Sequence, residues 1–384
     1  MHSLQGQRLV ISTLLNALSS TMSLMNQPEE EEETDSPHLP MALHSLLFSL
    51  LTIVLVLAKT EPVLCDYTSI FNFGDSWSDT GNLILLHPND HVFYSPYGET
   101  YFGHVTGRCS NGRLIVDFIA QSLGLPLLPP YLARKSGQDF RRGANFAVAA
   151  ATALDDAFFE ERVTDCPDFF SRSLFLLGEI GANDYTSALK AGRGLEEART
   201  FVPYVIDAIS SAIQMVVEHG AMTVMVPGNC PSGCFGSYLT LYPSSNEEDY
   251  DPQTGCLIPF NELSRYHNYL LQKELDRLRE LHPHVTFIYA DYDNASMPFF
   301  RYPLQFGFSG GSLTACCGFG APYKYNYWIQ CSDRGATVCD DPSLYANWDG
   351  NHLTEAAYKI IASYILERFN ERLSPASKVE HPYY

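Results

Sequence analysis

The feature that most constrains this chain is an alternation of short apolar runs with long amphipathic stretches. Each run ends within a few residues at Gly, Pro or Asp, which predicts strands at Ser69–Phe73, Ser173–Leu177, Thr223–Val226 and Val285–Tyr289. The longer stretches have apolar residues at helical spacing, which predicts helices at Leu114–Leu123, Glu196–Glu218 and Asn261–Leu281. Strands separated by helices form a parallel sheet covered on both faces. No linker or repeat interrupts the pattern, so we expect one domain over residues 67–376 and a tail over residues 377–384.

The region before this domain has the composition of a targeting segment. Residues 46–58 are apolar except for Ser49 and Thr52, and charged residues and a proline follow. This run is shorter than the roughly 20 residues that span a bilayer, but it suits the core of a signal peptide. Met41 offers a start just before it, so we predict a signal region over residues 41–66 and no stable membrane span after its removal. Residues 1–40 are then an upstream extension. The alternative is that they form a disordered acidic tail and that the apolar run after them is a signal anchor.

The cysteine content favours an oxidising compartment, because the chain has 10 cysteines. Cys230 and Cys234, and likewise Cys331 and Cys339, are close enough in sequence to close small disulfide loops, although sequence does not determine connectivity. A zinc site at the first pair would need a second ligand pair with matching spacing, and the sequence has none. Asn294 begins an Asn-Ala-Ser sequon and is expected to carry a glycan. We therefore expect a secreted, extracellular protein, with the cell wall or the vacuole as candidate destinations.

Three separated motifs carry the residue types needed for nucleophilic catalysis. Ser76 follows the first predicted strand in a Gly-Asp-Ser turn, and its hydroxyl attacks an ester only when a neighbouring base removes the proton. His352 is the candidate base, and one local turn brings Asp349 to its ring, where a carboxylate fixes the tautomer and stabilises the imidazolium. Asn183 follows another predicted strand and can donate to an oxyanion, as can the backbone N–H of Ser76. Each motif alone is an ordinary turn or helix start, but their joint occurrence after predicted strands indicates a serine hydrolase.

These motifs resemble those of the plant GDSL esterase/lipase family, which belongs to the SGNH hydrolase superfamily. The resemblance extends from about residue 67 to residue 376 and includes Phe71–Asn82, Gly107–Leu114, Gly143–Ala147, Gly178–Tyr185, Gly318 and Asn347–Ala357. It implies an α/β fold, a three-layer α/β/α sandwich with a five-stranded parallel sheet. It also implies that Ser76 is the nucleophile, His352 the base and Asp349 its orienting acid. The oxyanion hole of the family combines the nucleophile's N–H, a glycine N–H from the second motif and the asparagine that corresponds to Asn183.

Two positions depart from the pattern of the family. Trp77 stands where leucine is expected, but that side chain need not face the nucleophile. The glycine of the second motif aligns with Ala150, which keeps the N–H donor and adds a methyl group. A methyl group there can crowd the oxyanion or disfavour a positive φ angle. We therefore assign Ala150 to the oxyanion hole with Ser76 and Asn183, and we expect reduced activity or a narrower substrate range.

The formal charge of −20 narrows the choice of partners, because an acidic surface repels phosphate backbones. Nucleic acid is therefore not an expected partner, and the motifs require neither a metal nor an organic cofactor. We expect a monomeric, secreted serine carboxylester hydrolase that acts on a small or medium ester through an acyl-enzyme. An acyltransferase with the same triad is one alternative. A binding or structural glycoprotein with weak catalysis is the other, and only Ala150 favours it.

Overall fold

The computed structural model describes residues 67–133, 140–154 and 167–373. The predicted signal region, the acidic extension, the C-terminal tail, Cys65 and Cys166 lie outside these residues. The main elements in chain order are β1 (Ser69–Phe73), α1 (Asn82–Leu86), α2 (Ile115–Ser122), β2 (Gly143–Asn145), α3 (Pro167–Phe170), β3 (Ser173–Leu177), α4 (Ala182–Lys190), α5 (Leu195–Thr200), α6 (Val202–Glu218), β4 (Thr223–Pro227), α7 (Gly236–Leu241), α8 (Ile258–Leu281), β5 (Thr286–Ala290), α9 (Tyr292–Arg301), β6 (Cys317–Gly318), β7 (Thr337–Val338) and α10 (Glu355–Leu373).

The central sheet has five parallel strands in the order β2-β1-β3-β4-β5. β1 and β3 are neighbours in register, with Phe73 opposite Leu177 at the carboxyl ends of the two strands. Because both strands are fully buried, most of their residues are apolar and neither strand shows a strict alternation of apolar and polar side chains. The predicted α/β fold with a five-stranded parallel sheet is confirmed.

Each face of the sheet packs against its own layer of helices. Phe71, Phe175 and Val224 point to one face, where they join the apolar residues of α6 and α8 in one core cluster. Their immediate neighbours Ile70 and Leu174 point to the other face and pack with residues of α2, α9 and α10. This division follows from the two-residue period of a strand, which sends successive side chains to opposite faces. The result is the three-layer sandwich.

The observed elements follow the predicted ones closely, with a few differences. β1 and β3 have the predicted bounds, β4 is one residue longer, and β5 is displaced by one residue. The final helix begins after Thr354, whose Oγ1 accepts a hydrogen bond from the N–H of Ala357 at 3.3 Å. β2 was not predicted, because it has only three residues and no apolar run. Its Gly143 lies so close to β1 that a Cβ there would be 1.8 Å from the carbonyl oxygen of Ile70.

The predicted helix Glu196–Glu218 is in fact two helices, α5 and α6, which are separated at Phe201. Pro203 lies in the first turn of α6, where a missing N–H costs no hydrogen bond, so it starts a helix rather than continuing one. The segment Leu195–Glu218 is long and apolar enough to cross a membrane by length and composition alone. Its buried residues face the interior of the domain, where α6 packs on the sheet, and this burial accounts for the apolar composition of the segment.

The cysteine pairs differ from those suggested by sequence proximity. The disulfides among the described residues are Cys234–Cys256, Cys316–Cys339 and Cys317–Cys331. Pairing of Cys230 with Cys234, or of Cys331 with Cys339, is therefore wrong. The reason is the short antiparallel pair of β6 and β7, which places Val338 opposite Cys317 and so brings the next cysteine, Cys339, to Cys316. Cys230 is instead buried as a free thiol, with its Sγ 3.8 Å from the carbonyl oxygen of Tyr292.

We predict that the double variant Cys317→Ala/Cys331→Ala loses about 3 kcal/mol of unfolding free energy, because its disulfide closes a loop of 14 residues. Urea denaturation of the oxidised protein measures this loss. The same titration in excess reductant is the control, since wild type and variant then lack the same bond and their midpoints should approach one another. Equal midpoints under oxidising conditions would contradict the pairing.

Candidate active site

Ser76 lies in a tight turn just beyond the carboxyl end of β1. The carbonyl oxygen of Asp75 accepts hydrogen bonds from the N–H groups of Ser78 and Asp79, at 3.1 and 2.9 Å, so the chain turns immediately after the strand. Gly74 has a φ of +144°, and a Cβ there would lie 2.7 Å from the Oγ of Ser78 and 3.2 Å from the Cα of Gly178. The turn therefore requires glycine at this position, and it holds the hydroxyl of Ser76 at the edge of the sheet.

His352 and Asp349 reach Ser76 from the loop before α10. Asp349 Oδ2 lies 2.8 Å from His352 Nδ1, and His352 Nε2 lies 2.9 Å from Ser76 Oγ. A carboxylate is only an acceptor, so Nδ1 carries the ring proton and Nε2 accepts from the hydroxyl of Ser76. The other oxygen of Asp349 accepts the N–H groups of Asn351 and His352 at 2.9 and 2.8 Å, which is the local turn that the spacing predicted.

Tyr97 is a further partner of Asp349 that sequence reasoning missed. Its buried hydroxyl donates to Asp349 Oδ2 at 2.9 Å. Burial alone would raise the pKa of Asp349, but the charge of His352 and the hydrogen bonds from its ring and from Asn351 hold that pKa well below its usual range. Burial, with the neighbouring charge of Asp349, raises the pKa of Tyr97 well above its ordinary value, so the phenol stays a hydrogen-bond donor. No local motif around Tyr97 marked it, because the contact joins positions 252 residues apart.

Three donors surround the space in front of Ser76 Oγ. The backbone N–H groups of Ser76 and Ala150 make no hydrogen bond within the described part of the chain and are free to donate to a ligand oxygen. The Nδ2 of Asn183 is already engaged, with Asp75 Oδ2 at 2.7 Å and the carbonyl oxygen of Ala151 at 3.0 Å. The three residues assigned to the oxyanion hole thus come together at one cavity. Asn183 must exchange one of its partners before it can bind an oxyanion.

Ala150 has the backbone conformation that glycine would favour. Its φ is +66°, in the left-handed region that L-residues occupy at a cost of roughly 1–2 kcal/mol. The residue is exposed and lines the cavity, so its methyl group adds bulk at the site. The positive φ therefore does not exclude alanine at this position; the chain tolerates the strain.

The buried carboxylate of Asp79 joins the two loops that carry these donors. It accepts four backbone N–H groups, those of Gly81, Asn82, Leu83 and Ala149, at 2.6 to 2.9 Å. Burial raises the pKa of Asp79, and the four hydrogen bonds oppose that rise by favouring the charged form. Since Ala149 precedes Ala150, this one side chain sets the distance between the turn of Ser76 and the second donor loop.

Trp77, the first departure from the expected pattern, is a packing residue at the rim of the cavity. Its indole packs edge-on against Phe235 and Tyr358, with ring centroids 5.6 and 5.4 Å apart. Its backbone N–H donates to Asp75 Oδ1 at 3.0 Å. The wider side chain therefore fills the space between Phe235, just before α7, and Tyr358 of α10, and it also lines the cavity.

The cavity at Ser76 has a volume of about 300 Å³. Its wall combines apolar and aromatic side chains with hydroxyl groups, among them Leu83, Val92, Phe235, Tyr238, Ser237 and Thr186. A space of this size is at the lower end of the range for small-molecule sites, which is about 300–1,000 Å³. Among the described residues no cluster of three or more His, Cys, Asp or Glu side chains could hold a metal ion.

Asn294, the predicted glycan site, lies in the first turn of α9 and does not line this cavity. It is exposed, and its Nδ2 donates to Asp291 Oδ2 at 2.7 Å. The glycan stays a prediction.

Comparisons with known proteins agree with the geometry. A family model for GDSL-like lipases and acylhydrolases matches residues 70–365. GDSL esterase/lipase At1g28590 of Arabidopsis thaliana is 45% identical over 357 residues, which cover 85% of this chain and 88% of the relative. GDSL esterase/lipase At2g27360 of the same plant is 45% identical over 356 residues, 84% of this chain and 90% of the relative. A third, At5g45910, is 43% identical over 357 residues, 83% and 96% of the two chains. The chain therefore belongs to the family of GDSL-like lipases and acylhydrolases.

Proposed function

We propose that this chain is a secreted serine carboxylester hydrolase that works through an acyl-enzyme, with Ser76 as nucleophile, His352 as base and Asp349 as orienting acid. The observation that carries the proposal is the unbroken chain of hydrogen bonds from Asp349 Oδ2 to His352 at 2.8 Å and from His352 Nε2 to Ser76 Oγ at 2.9 Å. Membership of a family of esterases and lipases supports hydrolysis of carboxylic esters.

In the acylation step, Ser76 Oγ attacks the ester carbonyl carbon while His352 Nε2 takes the hydroxyl proton. The carbonyl oxygen becomes an oxyanion and accepts hydrogen bonds from the N–H groups of Ser76 and Ala150 and from Nδ2 of Asn183. The C–O bond to the alcohol then breaks, and His352 returns its proton to the leaving alkoxide. Asp349 stays ionised throughout and stabilises the imidazolium, in keeping with its lowered pKa.

In the second step, water replaces the alcohol at the acyl-enzyme. His352 takes a proton from the water as its oxygen attacks the acyl carbon, and the same three donors hold the second oxyanion. The bond from Ser76 Oγ to the acyl group breaks, Ser76 recovers its proton from His352, and the carboxylic acid leaves. An alcohol in place of water would make the same chain an acyltransferase.

The size and lining of the cavity support a small or medium ester as substrate. About 300 Å³ holds a compact acyl and alcohol group, whereas long acyl chains would extend into solvent. The wall near Ser76 mixes hydroxyl groups with aromatic rings.

The disulfides support a location in the secretory pathway. Structural disulfides are rare in the cytosol, and three of them stabilise the loops around the active site here. The apolar run before the domain and the exposed Asn294 support the same location. These features together support our proposal of an extracellular destination.

We expect Ser76→Ala to lower kcat on p-nitrophenyl acetate and butyrate by about 10³-fold or more, because the acyl-enzyme can no longer form. A fluorophosphonate probe should label the wild type at Ser76 and leave the variant unlabelled. Ser78→Ala is the matched control: it removes a buried serine hydroxyl of the same turn that makes no hydrogen bond in the described part of the chain. Activity of a folded wild type no higher than that of Ser76→Ala would overturn the enzyme assignment. Transfer to an added alcohol faster than hydrolysis would favour the acyltransferase.

We expect Ala150→Gly to raise the stability by about 1 kcal/mol, because relief of the strain at φ +66° exceeds the added entropy of the unfolded chain. The substitution also removes a methyl group from the cavity wall. It should therefore raise kcat/KM for butyrate more than for acetate, on the order of tenfold at most. Chemical denaturation and the ratio of the two kcat/KM values measure these effects. An unchanged ratio would show that the methyl group does not restrict the substrate.

A further inference from the structure

The buried carboxyl groups of Asp75 and Glu179 line the same cavity as Ser76 but have no part in the mechanism above. Asp75 and Glu179 are only 1% and 3% exposed. Each lies two residues beyond the register pair Phe73 and Leu177, so the parallel pairing of β1 with β3 brings them to the same point. Gly178 allows this approach, because a Cβ there would lie 2.3 Å from the carbonyl oxygen of Phe73.

One proton must be shared between these two carboxyl groups. Two like charges side by side in a buried site cannot both persist, so one of the acids stays neutral. Asp75 is the ionised member, since its two oxygens accept the N–H of Trp77 at 3.0 Å and Nδ2 of Asn183 at 2.7 Å. Glu179 interacts with the carboxyl of Asp75 and, to a smaller extent, with the backbone N–H of Ala182, and no side-chain donor of the described residues reaches its oxygens. The proton therefore resides on Glu179.

The electrostatic surroundings favour this distribution of the proton. Burial, and then the charge of Asp75, raise the pKa of Glu179 well above its ordinary value. Burial raises the pKa of Asp75 to about 6, and the hydrogen bonds from Trp77 and Glu179 oppose that rise. The other titratable groups that interact with the two carboxyl groups from the neighbouring elements are His352, Asp184, Tyr185, Cys109, Cys230, Tyr238 and Tyr292. Among these groups only His352 can become a cation. No permanently charged basic side chain among them neutralises the two carboxyl groups.

The pair controls the orientation of Asn183. The amide of Asn183 has two hydrogens, one directed to the carboxylate of Asp75 and the other to the carbonyl oxygen of Ala151. A hydrogen bond to a charged acceptor is the stronger of the two, and it is also the shorter, at 2.7 against 3.0 Å. An incoming oxyanion therefore replaces Ala151, while Asp75 keeps hold of the amide.

We propose that Glu179 is a positioning residue: its neutral carboxyl donates to the Asp75 carboxylate, which in turn holds Asn183 in place for the oxyanion. This inference rests on the proposed esterase function. It predicts a specific pH dependence, because uptake of a second proton by the pair neutralises Asp75 and releases the amide of Asn183.

The first test compares Glu179→Gln with Glu179→Leu in kcat/KM on p-nitrophenyl butyrate over a range of pH. Glutamine keeps an N–H donor for Asp75, so it should stay within about threefold of wild type, with its acid limb at the same pH. Leucine removes the donor, so it should lose about tenfold or more, with its acid limb at higher pH because Asp75 protonates more readily. Asp184, whose pKa burial raises to about 6, and His352 are the same in every variant, so a difference between variants reports the pair.

Either of two results would overturn the proposal. If Glu179→Gln is as impaired as Glu179→Leu, the negative charge of Glu179 is what matters; if Glu179→Leu matches wild type, the residue has no role. Failure of the esterase function itself has a different signature, namely a wild type no more active than Ser76→Ala.

A second measurement does not depend on activity. An acid whose folded pKa lies above its unfolded value of about 4.3 opposes folding once the pH exceeds that unfolded value. Glutamine carries no such cost, so the stability of Glu179→Gln relative to wild type should increase from pH 4 to pH 8 in urea denaturation. A difference that is constant over this range would mean that Glu179 is ionised in the folded protein, and it would overturn the proposal.

Discussion

The geometry of the site depends on one buried carboxylate, that of Asp79. Its four hydrogen bonds to backbone N–H groups connect the turn of Ser76 with the start of α1 and with the loop that carries Ala150. Neighbouring amides reinforce the connection: Asn72 donates to Asn145 Oδ1 at 2.9 Å, and Asn82 donates to the carbonyl oxygen of Ala147 at 2.8 Å. Loops at the carboxyl ends of β1 and β2 are thus joined by side chains rather than by a further strand. Rigid support of this kind is what a preorganised oxyanion site requires.

A second constraint is the number of acids buried around one serine. Asp349 is surrounded by donors and stays ionised, whereas Glu179 faces another carboxyl group and stays neutral. Two buried carboxyl groups of the same site therefore have opposite protonation states, and the difference comes from their neighbours. Burying these carboxyl groups lowers the free energy of unfolding. Functional sites tolerate such a loss, and here the buried groups position the nucleophile and the oxyanion donors.

Much of the fold and of the proposed site could be predicted from the sequence, because both depend on local patterns. β1 and β3 are short apolar runs that end at glycine or aspartate, and Ser76 and Asn183 follow those ends directly. Asp349 and His352 are separated by one turn, so their contact is local. The partners that were missed are different. Tyr97 lies in a loop without a motif, and Glu179 stands within a recognised motif, but nothing in the order of residues indicates a carboxyl neighbour.

The sequence by itself determined the strand ends, the residue types at each end and the family to which they point, because period and turn chemistry are properties of adjacent residues. Only the tertiary structure decided which distant groups meet. The contact of Ser76 with His352 spans 276 positions, and the cysteines pair across β6 and β7 rather than with their nearest neighbours in sequence. The register of β1 against β3 set Asp75 beside Glu179. Such pairings arise when whole elements pack, and packing depends on the entire core rather than on any one segment.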